Sequence, residues 1–458
     1  MEKHKEERPA GGSRLEKKPK KKSCLTKQQK VLIAVAMVLA VVLVGVLAWQ
    51  SLFVKPQLPS GSRQDPEKEN AIDYGEGSSP MAGGERKSED WYTVLILGRD
   101  TGGGGNTDTM LLASYDVTGQ KATVMSIPRD TMVNVSWDVK KINSVYNANG
   151  QGQAGIDALY KEIAQLVGFE PDYRVVVEWE AVGALVDAIG GVEFDVPYDM
   201  DYHDPYQDLV IEQAKGLRTL TGSDAMQVIR WRGNDNTSPY SYKKKDGGIG
   251  DSGRMKVQQD FLKAVLQQLM KPENILNIGK IAKVFQENVE TDLNFQEILW
   301  FGKQATLGGL KPENVEFLTM PWRGANVYSR TESKRLGRYT ELNYVTPVAG
   351  ELLDIVNNKL SPFRETFTLS DLDIMSVNPD GSVSSTTGRV EDKQAAQPPE
   401  KPQETPAEEP IEEPAENTPE EPEEAPAEEP AEEAPSAPEQ PEEFPDPDFT
   451  IIDPPAAE

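Results

Sequence analysis

The stretch WYTVLILGRDTGGGGNTDTMLLASYDVTGQKATVMSIPRD, residues 91–130, decides the fold of this chain. It contains three apolar runs rich in β-branched residues, each typical of a buried strand. These runs are TVLIL (93–97), MLLASYDV (110–117) and KATVMSIP (121–128). A glycine-rich loop joins the first two runs, and a Thr-Gly turn joins the last two. The stretch therefore predicts neighbouring strands of one sheet.

Helical patterns alternate with further strand patterns downstream. Gly168 is a predicted helix stop, because glycine is common just after a helix. Helices are predicted over 155–167, 180–191, 223–232 and 252–270, and strands over 174–179 and 192–196. Tight hairpins occur beside longer crossovers, so the sequence predicts an α/β fold with a mixed central sheet flanked by helices.

The beginning of the chain indicates a membrane anchor. Residues 1–30 are rich in lysine, and residues 31–54 contain no charged side chain. About 20 apolar residues span a bilayer, and flanking lysines favour the cytoplasmic side. We expect one transmembrane signal-anchor helix in the cell membrane, with a cytoplasmic N-terminus and an extracytoplasmic main domain. A cleaved signal peptide is the alternative, although its apolar core is typically shorter.

The remaining segments differ in composition. Residues 55–90 are rich in Pro, Gly and Ser and predict a flexible stalk. The folded domain is predicted over 91–362, followed by a terminal connection over 363–390. Residues 391–458 repeat Pro- and Glu-rich units that cannot bury a core, which predicts a disordered acidic tail. The net charge of −27 averages a basic beginning and a strongly acidic tail, but residues 55–390 are also net acidic. Nucleic acid needs a broad basic surface, so we expect no nucleic-acid partner.

Cysteine and histidine are too rare for several kinds of site. Cys24 is the only cysteine and precedes the apolar run, and His4 and His203 are the only histidines. A disulfide, a thiolate metal site and a multi-histidine zinc site are therefore excluded beyond the predicted anchor. A metal bound there would need oxygen ligands, which favours magnesium, calcium or manganese.

Two aspartates flank the glycine-rich loop. Asp100 ends the first predicted strand and Asp108 begins the second, so a hairpin would bring both carboxylates together. Mg²⁺ is commonly held by one or two carboxylates with phosphate oxygens and water, and Mn²⁺ is an alternative ion. The other interpretation is a surface hairpin whose aspartates bond to the turn backbone.

Four arginines and one further aspartate follow in separate motifs. Arg129 lies in SIPRD, Arg230 and Arg232 in RWR, and Asp251 and Arg254 in GDSGR. Residues two apart on a helix diverge by about 200°, so the RWR pair converges only if the helix ends there. The GDSGR motif begins a predicted helix, whose N-terminus favours anions. These arginines predict either a phosphate site or surface ion pairs.

Taken in order, the motifs resemble the LytR-CpsA-Psr family of bacterial cell-envelope proteins. The resemblance is strong over 91–270 and weaker to about residue 362. It is carried by GRD (98–100), NTDTMLLASYD (106–116), SIPRD (126–130), KINSVY (141–146), GLRTLTGSDAMQVIRWR (216–232) and GDSGR (250–254). The resemblance implies a phosphotransferase that moves a glycopolymer, such as a teichoic acid or capsule, from a polyprenyl-pyrophosphate carrier onto peptidoglycan.

The resemblance also implies roles for individual residues. Asp100 and Asp108 would bind magnesium, and Asp251 would orient an arginine or help to deprotonate the acceptor hydroxyl. The polyprenyl chain would lie in an apolar tunnel between sheet and helices. Asp251 and Arg254 are the implied catalytic residues, and the implied pyrophosphate ligands are Arg129, Arg230, Arg232 and Arg254.

Two alternatives to the transferase stay open. The same site would hydrolyse a polyprenyl pyrophosphate if water were the acceptor, and a family-like fold would also suit a non-catalytic protein with a wall-binding or regulatory role. Two departures from the family pattern bear on this choice. Asn106 and Val257 stand where the family commonly has arginine. These replacements would weaken pyrophosphate binding or alter the donor.

Overall fold

The structure, a computed structural model, describes residues 51–58, 72, 74, 79–99, 107–204, 209–234, 249–333 and 338–392. No helix within these ranges combines the length and the apolar character of a membrane span. The predicted anchor lies outside the described residues except for 51–54, and the predicted acidic tail lies outside them from residue 393 onward.

The described strands are β1 (Trp91–Arg99), β2 (Thr107–Asp116), β3 (Lys121–Ile127), β4 (Tyr173–Glu178), β5 (Val192–Val196), β6 (Met200–Asp204), β7 (Leu209–Gln213), β8 (Gly216–Leu220), β9 (Val289–Thr291), β10 (Val315–Thr319), β11 (Trp322–Ser333), β12 (Arg338–Pro347), β13 (Met375–Val377) and β14 (Val383–Ser385). The described helices are α1 (Ser144–Ala148), α2 (Gly152–Val167), α3 (Trp179–Ala188), α4 (Gly222–Arg230), α5 (Gly250–Leu269), α6 (Pro272–Leu276), α7 (Ile278–Asn288), α8 (Phe295–Leu307) and α9 (Ala349–Ile355).

A six-stranded sheet in the order β10-β3-β2-β1-β4-β9 forms the centre of the domain. The pairs β1–β2, β2–β3 and β4–β9 are antiparallel, whereas β1–β4 and β3–β10 are parallel. This arrangement confirms the predicted mixed sheet within an α/β fold. The three strands predicted from residues 91–130 are neighbours in it. Four two-stranded units complete the described strands: β5–β8, β6–β7, β11–β12 and β13–β14.

The largest core lies between one face of the sheet and α2. Side chains alternate along each strand, so every second residue of the central strands points into this layer. Gly168 ends α2 in a left-handed conformation with φ of 79°, which confirms the predicted stop. Fully burying one large apolar side chain in this layer stabilises the fold by about 1.5–3 kcal/mol. The core includes Leu95, Leu97, Met110, Leu112, Met125, Ile156, Leu159 and Ile163.

A second core joins the antiparallel pair β5–β8 to α4 and α5. Phe194 of β5 packs edge-to-face on Phe261 of α5, with ring centres 5.6 Å apart. Trp231, the residue after α4, is fully buried in the same cluster. This core holds the end of α4 close to α5, so the RWR and GDSGR motifs are brought together.

Residues before β1 pack against the domain. The Met81 amide donates to the Gly168 carbonyl oxygen over 2.8 Å. The Arg86 guanidinium donates to both carboxylate oxygens of Asp172, at 2.9 and 2.8 Å. The segment 79–90 therefore belongs to the packed domain, although its Pro- and Gly-rich surroundings predict a stalk.

Residues after 362 also pack against the domain. The Arg330 guanidinium lies 2.8 Å from Asp392, and the buried Lys140 ammonium lies 3.3 Å from the same carboxylate. The segment 363–392 contributes to the largest core through Phe363, Phe367, Leu372 and Ile374. The described domain thus extends beyond the predicted limits of 91 and 362 on both sides.

Candidate active site

Asp108 lies at an irregularity between β1 and β2. Gly98 pairs with Thr109 and Arg99 pairs with Thr107, so Asp108 has no residue opposite it. Such a bulge redirects the side chain of the extra residue. Glycine is needed at position 98, because a Cβ there would lie 2.9 Å from the Thr109 Cβ. The strand pairing therefore presents the Asp108 carboxylate away from the regular ladder.

Arg129 bridges the two carboxylates of the site. It follows Pro128 at the end of β3, on the strand that pairs with β2. Its Nη1 lies 3.2 Å from Asp108 Oδ1, and its Nε donates to Asp251 Oδ2 over 2.6 Å. The SIPRD arginine is therefore fixed between the NTDTM motif and the GDSGR motif.

Arg254 is the most buried charged side chain of the site. It lies in the first turns of α5 and is 4% exposed. Its Nη2 lies 3.3 Å from Asp251 Oδ1, and its Nη1 lies 3.9 Å from Asp108 Oδ2. Within the described part of the chain, its buried Nε has no hydrogen-bond partner. A buried polar group without a partner is costly, and the Nε atoms of Arg86, Arg99, Arg218 and Arg330 share this feature.

Two adjacent glutamines position α5. Gln259 is buried and donates to Ser126 Oγ at 2.9 Å and to Thr319 Oγ1 at 3.0 Å. Gln258 donates to the Ile229 carbonyl oxygen at 3.0 Å. The first glutamine ties the helix to β3 and β10, and the second ties it to the last turn of α4. These bonds hold the N-terminal turn of α5 against the sheet.

The two arginines of RWR have different positions. The predicted helix 223–232 is wrong at its end, because α4 stops at Arg230 and the backbone is extended from Trp231. Arg232 lies beyond the helix, and its Nη2 donates to Asp108 Oδ2 over 2.8 Å. Among the described residues, Arg230 forms no ion pair with Asp108 or Asp251. The structure thus brings three of the four predicted arginines together.

We call Asp108, Arg129, Arg232, Asp251 and Arg254 the charged cluster. Burial alone would raise the pKa of Asp108, but the charges of Arg129, Arg254 and Arg232 outweigh it and hold this pKa below its ordinary value. Burial and the nearby Arg232 lower the pKa of Arg254 to about 10. Both groups stay charged at neutral pH, so the cluster contains three cations and two anions.

Four members of the charged cluster line a cavity of about 190 Å³: Asp108, Arg129, Asp251 and Arg254. Arg232 is joined to this wall through its hydrogen bond to Asp108. Thr109 and Trp322 also line the cavity, and neither was identified from the sequence. The Thr109 hydroxyl is buried and has no partner within the described residues. Trp322 lies in TMPWRG (319–324), a part of the weaker family-like pattern that continues to about residue 362. Apolar side chains complete the lining: Met110, Leu111, Ile127 and Met255.

Some residues singled out from the sequence do not line the described cavity. Asp100 and Asn106 lie outside the described residues, so the predicted pairing of Asp100 with Asp108 stays a prediction. No group of three or more metal-binding side chains occurs in the described part of the chain. Val257 is buried in the second core with Phe261 and does not line the cavity. Its replacement of an arginine therefore leaves the described cavity wall intact.

The chain belongs to the LytR_cpsA_psr family, whose profile matches residues 60–343. Among curated relatives, it is similar to the polyisoprenyl-teichoic acid–peptidoglycan teichoic acid transferase TagV of Bacillus subtilis (strain 168), with 26% identity over 246 residues. It is also 26% identical, over 241 residues, to the biofilm regulatory protein A of Streptococcus mutans serotype c.

These matches cover only part of each protein. They span 52% of this chain and 58% of the TagV relative, and 48% of this chain and 54% of the Streptococcus relative. The chain thus spans little more than half the length of these two relatives. The crystal structure of TagV from B. subtilis matches with 24% identity and a TM-score of 0.45, covering 59% of this chain and 95% of that structure.

Proposed function

We propose that this chain is a membrane-anchored, extracytoplasmic phosphotransferase that moves a glycopolymer from a polyprenyl-pyrophosphate carrier onto peptidoglycan. The observation that supports this most directly is the convergence of Arg129, Arg232 and Arg254 on Asp108 at the wall of the cavity. A doubly phosphorylated group offers the oxygens that several guanidinium groups can bind together. The TagV relative is named as a transferase between a polyisoprenyl-linked polymer and peptidoglycan, which is consistent with this role.

The charged cluster suits a pyrophosphate for electrostatic reasons. Its guanidinium groups exceed its carboxylates by one, and Arg129 and Arg254 are held in place by Asp251. Arginine recognises phosphate through paired, planar donors. Pre-positioned cations beside a partly water-excluded cavity stabilise the charge that develops during phosphoryl transfer. Arg230 has no described contact with the cluster and is not assigned to the pyrophosphate.

The proposed reaction needs no protein nucleophile. An acceptor hydroxyl oxygen of peptidoglycan attacks the phosphorus that carries the glycan, and a new P–O bond forms. The bond between this phosphorus and the bridging oxygen breaks, and polyprenyl monophosphate leaves with its electron pair. The hydroxyl proton is released to water, and the glycan becomes linked to peptidoglycan through a phosphodiester.

Asp251 is best assigned to positioning. Its Oδ2 accepts a hydrogen bond from Arg129, and its Oδ1 lies within ion-pair distance of Arg254. A carboxylate engaged on both oxygens is well suited to orient guanidinium groups. We therefore favour the orienting role over deprotonation of the acceptor hydroxyl.

Magnesium is a proposal that rests on the oxygen-only donor set. Asp108 is the described carboxylate at the cavity that would hold the ion, together with Asp100 from the loop outside the described residues. A bound Mg²⁺ would offset negative charge on the two phosphates. Asp108 now accepts from Arg129 and Arg232, so these guanidinium groups would become available to phosphate oxygens once the carboxylate binds a cation.

The test uses the full chain in detergent with a polyprenyl-pyrophosphate-linked glycan and a soluble peptidoglycan fragment. We expect Mg²⁺-dependent formation of a glycan–peptidoglycan phosphodiester and release of polyprenyl monophosphate. Release of phosphate without transfer would instead support the hydrolase. Neither product, with retained glycan binding, would support a regulatory or wall-binding role.

A matched pair of variants tests the site itself. Arg232→Gln should reduce turnover strongly, because this arginine contacts Asp108, whereas Arg230→Gln should leave turnover close to that of the wild type. Both residues lie in one short motif, so their difference is not explained by general damage to the fold. Equal losses in the two variants would contradict the assignment of the cluster.

A further inference from the structure

The β11–β12 hairpin is firmly held on one side. Val327 and Tyr344 pack with Met132 in a separate apolar cluster. Ser329 Oγ donates to Asp138 Oδ2 over 2.7 Å. Side chains on one face of a hairpin alternate with those on the other. The buried face therefore fixes the orientation of the opposite, outward face.

The outward side, which we call the ribbon face, is formed by Trp322, Asn326, Tyr328, Tyr339, Glu341 and Asn343. Its three aromatic side chains are 40%, 43% and 41% exposed. Asn326 lies directly opposite Asn343, and Tyr328 lies directly opposite Glu341. No other large aromatic side chain is comparably exposed among the described residues. A row of exposed aromatics indicates an interaction surface.

The ribbon face is continuous with the candidate active site. Trp322 lines the cavity together with Asp108 and Arg254. From Trp322 the face follows β11 for six residues to Tyr328, a distance of about 20 Å at the usual rise of a strand. A polymer that lies along the face would therefore present one of its units at the cavity.

We propose that the ribbon face binds the glycan strand of the peptidoglycan acceptor, an inference that rests on the proposed transferase function. Aromatic rings offer rigid, partly apolar contact area at low entropic cost, which suits the apolar faces of sugar rings. The amides of Asn326 and Asn343 each offer two donors and one acceptor. Such groups match the hydroxyl and N-acetyl groups of an amino-sugar strand.

The charge of the face favours the acceptor over the donor polymer. Its described part carries one carboxylate, Glu341, and no cationic side chain. Arg330 is engaged elsewhere, with Asp138 and Asp392. An anionic polymer such as a teichoic acid would meet no described counter-charge there, whereas the amide-linked amino-sugar backbone of peptidoglycan is uncharged and would not need one. The donor is held by its pyrophosphate at the charged cluster instead.

The experiment measures binding without turnover. The full chain in detergent is titrated with soluble, uncross-linked peptidoglycan glycan strands, with no donor present, by calorimetry. Tyr328→Ala combined with Asn343→Ala should weaken binding at least about ten-fold, as expected when aromatic and polar anchors are truncated. Leu276→Ala, at a side chain that is 86% exposed on α6, is the matched control and should bind like the wild type.

The kinetic arm separates acceptor binding from chemistry. The double variant should raise KM for the acceptor, while kcat at saturating acceptor, the affinity for inorganic pyrophosphate and Tm stay at wild-type values. The proposal would be overturned if the double variant bound glycan strands as tightly as the wild type. It would also be overturned if the double variant lost affinity for an anionic donor polymer and kept its affinity for the strands. If the wild type binds strands through this face but transfers nothing, the proposed function fails and this inference stands.

Discussion

Asp108→Asn is the change that separates the roles of the charged cluster. The carboxylate accepts from Arg129 at 3.2 Å and from Arg232 at 2.8 Å. Truncating one partner of a buried charge pair costs about 2–5 kcal/mol. Arg129 keeps Asp251, and Arg232 is 45% exposed, so we expect the lower end. About 2 kcal/mol corresponds to a fall in Tm of about 3 °C for a domain of this size.

The same variant should change how pyrophosphate and magnesium cooperate. A Mg²⁺ ion bound to Asp108 as proposed would release Arg129 and Arg232 from this carboxylate, so Mg²⁺ and pyrophosphate should strengthen each other's binding in the wild type. Such coupling is reciprocal and typically amounts to about 5–150-fold. In Asp108→Asn, Arg129 and Arg232 are already released from the carboxylate at position 108. Without Mg²⁺, pyrophosphate should therefore bind the variant more tightly than the wild type. Added Mg²⁺ should increase the affinity of the variant for pyrophosphate only slightly.

The assay is a thermal-shift titration with inorganic pyrophosphate, with and without Mg²⁺, on the full chain. Mg²⁺ also binds free pyrophosphate, but equally in every sample, so the difference between variants carries the information. Asp251→Asn is the matched control, since it removes a carboxylate of the cluster while leaving Asp108 in place. It should lower Tm and keep the Mg²⁺ dependence. An Asp108→Asn protein with wild-type Tm and wild-type Mg²⁺ dependence would refute the reasoning.

Three further expectations follow from buried polar groups. Gln259→Ala removes an amide that bonds to β3 and β10, so it should cost about 1–3 kcal/mol in urea unfolding and lower kcat as α5 shifts. Burial, reinforced by the charges of Asp373 and Glu391, raises the pKa of Glu162 to about 8. The protonated side chain therefore stabilises the folded state fully below the ordinary pKa of 4.5, and this stabilisation is lost as the pH rises through about 8. Glu162→Gln should flatten this decline in Tm across that range, and an unchanged slope would contradict it. Asp392→Ala removes the carboxylate of the buried Lys140 and leaves this ammonium with carbonyl acceptors alone, so hydrogen exchange of the β13–β14 hairpin should quicken while α2 stays protected.

The central sheet could be predicted because each strand signal is local. The runs at 93–97, 110–117 and 121–128 are apolar and β-branched, and they form β1, β2 and β3 with small changes at their ends. The packed segments 79–90 and 363–392 could not be predicted in the same way. Their few apolar side chains are scattered among polar residues, and only the tertiary structure brings them to the core.

The site was predictable in its residue types more than in its contacts. The motifs identify Arg129, Arg232 and Arg254. Sequence spacing does not show that α4 stops at Arg230, so that the Arg230 side chain forms no described ion pair with the charged cluster. A capping box begins this helix at Thr221, two residues before residue 223, where the helix was predicted to start. The helix end depends on the burial of the following tryptophan in the second core, which is a tertiary effect.

The end of β3 and the segment that follows it connect the proposed donor and acceptor sites. Ser126 of β3 accepts from Gln259 and so fixes α5, while Arg129 joins the charged cluster. Three residues after Arg129, the Met132 amide donates to the Val345 carbonyl oxygen over 2.8 Å, which fixes the β11–β12 hairpin. Phosphoryl transfer needs the acceptor oxygen about 3–3.5 Å from phosphorus. Because one short segment holds both sides, a change in its backbone should lower kcat even when each substrate alone binds normally.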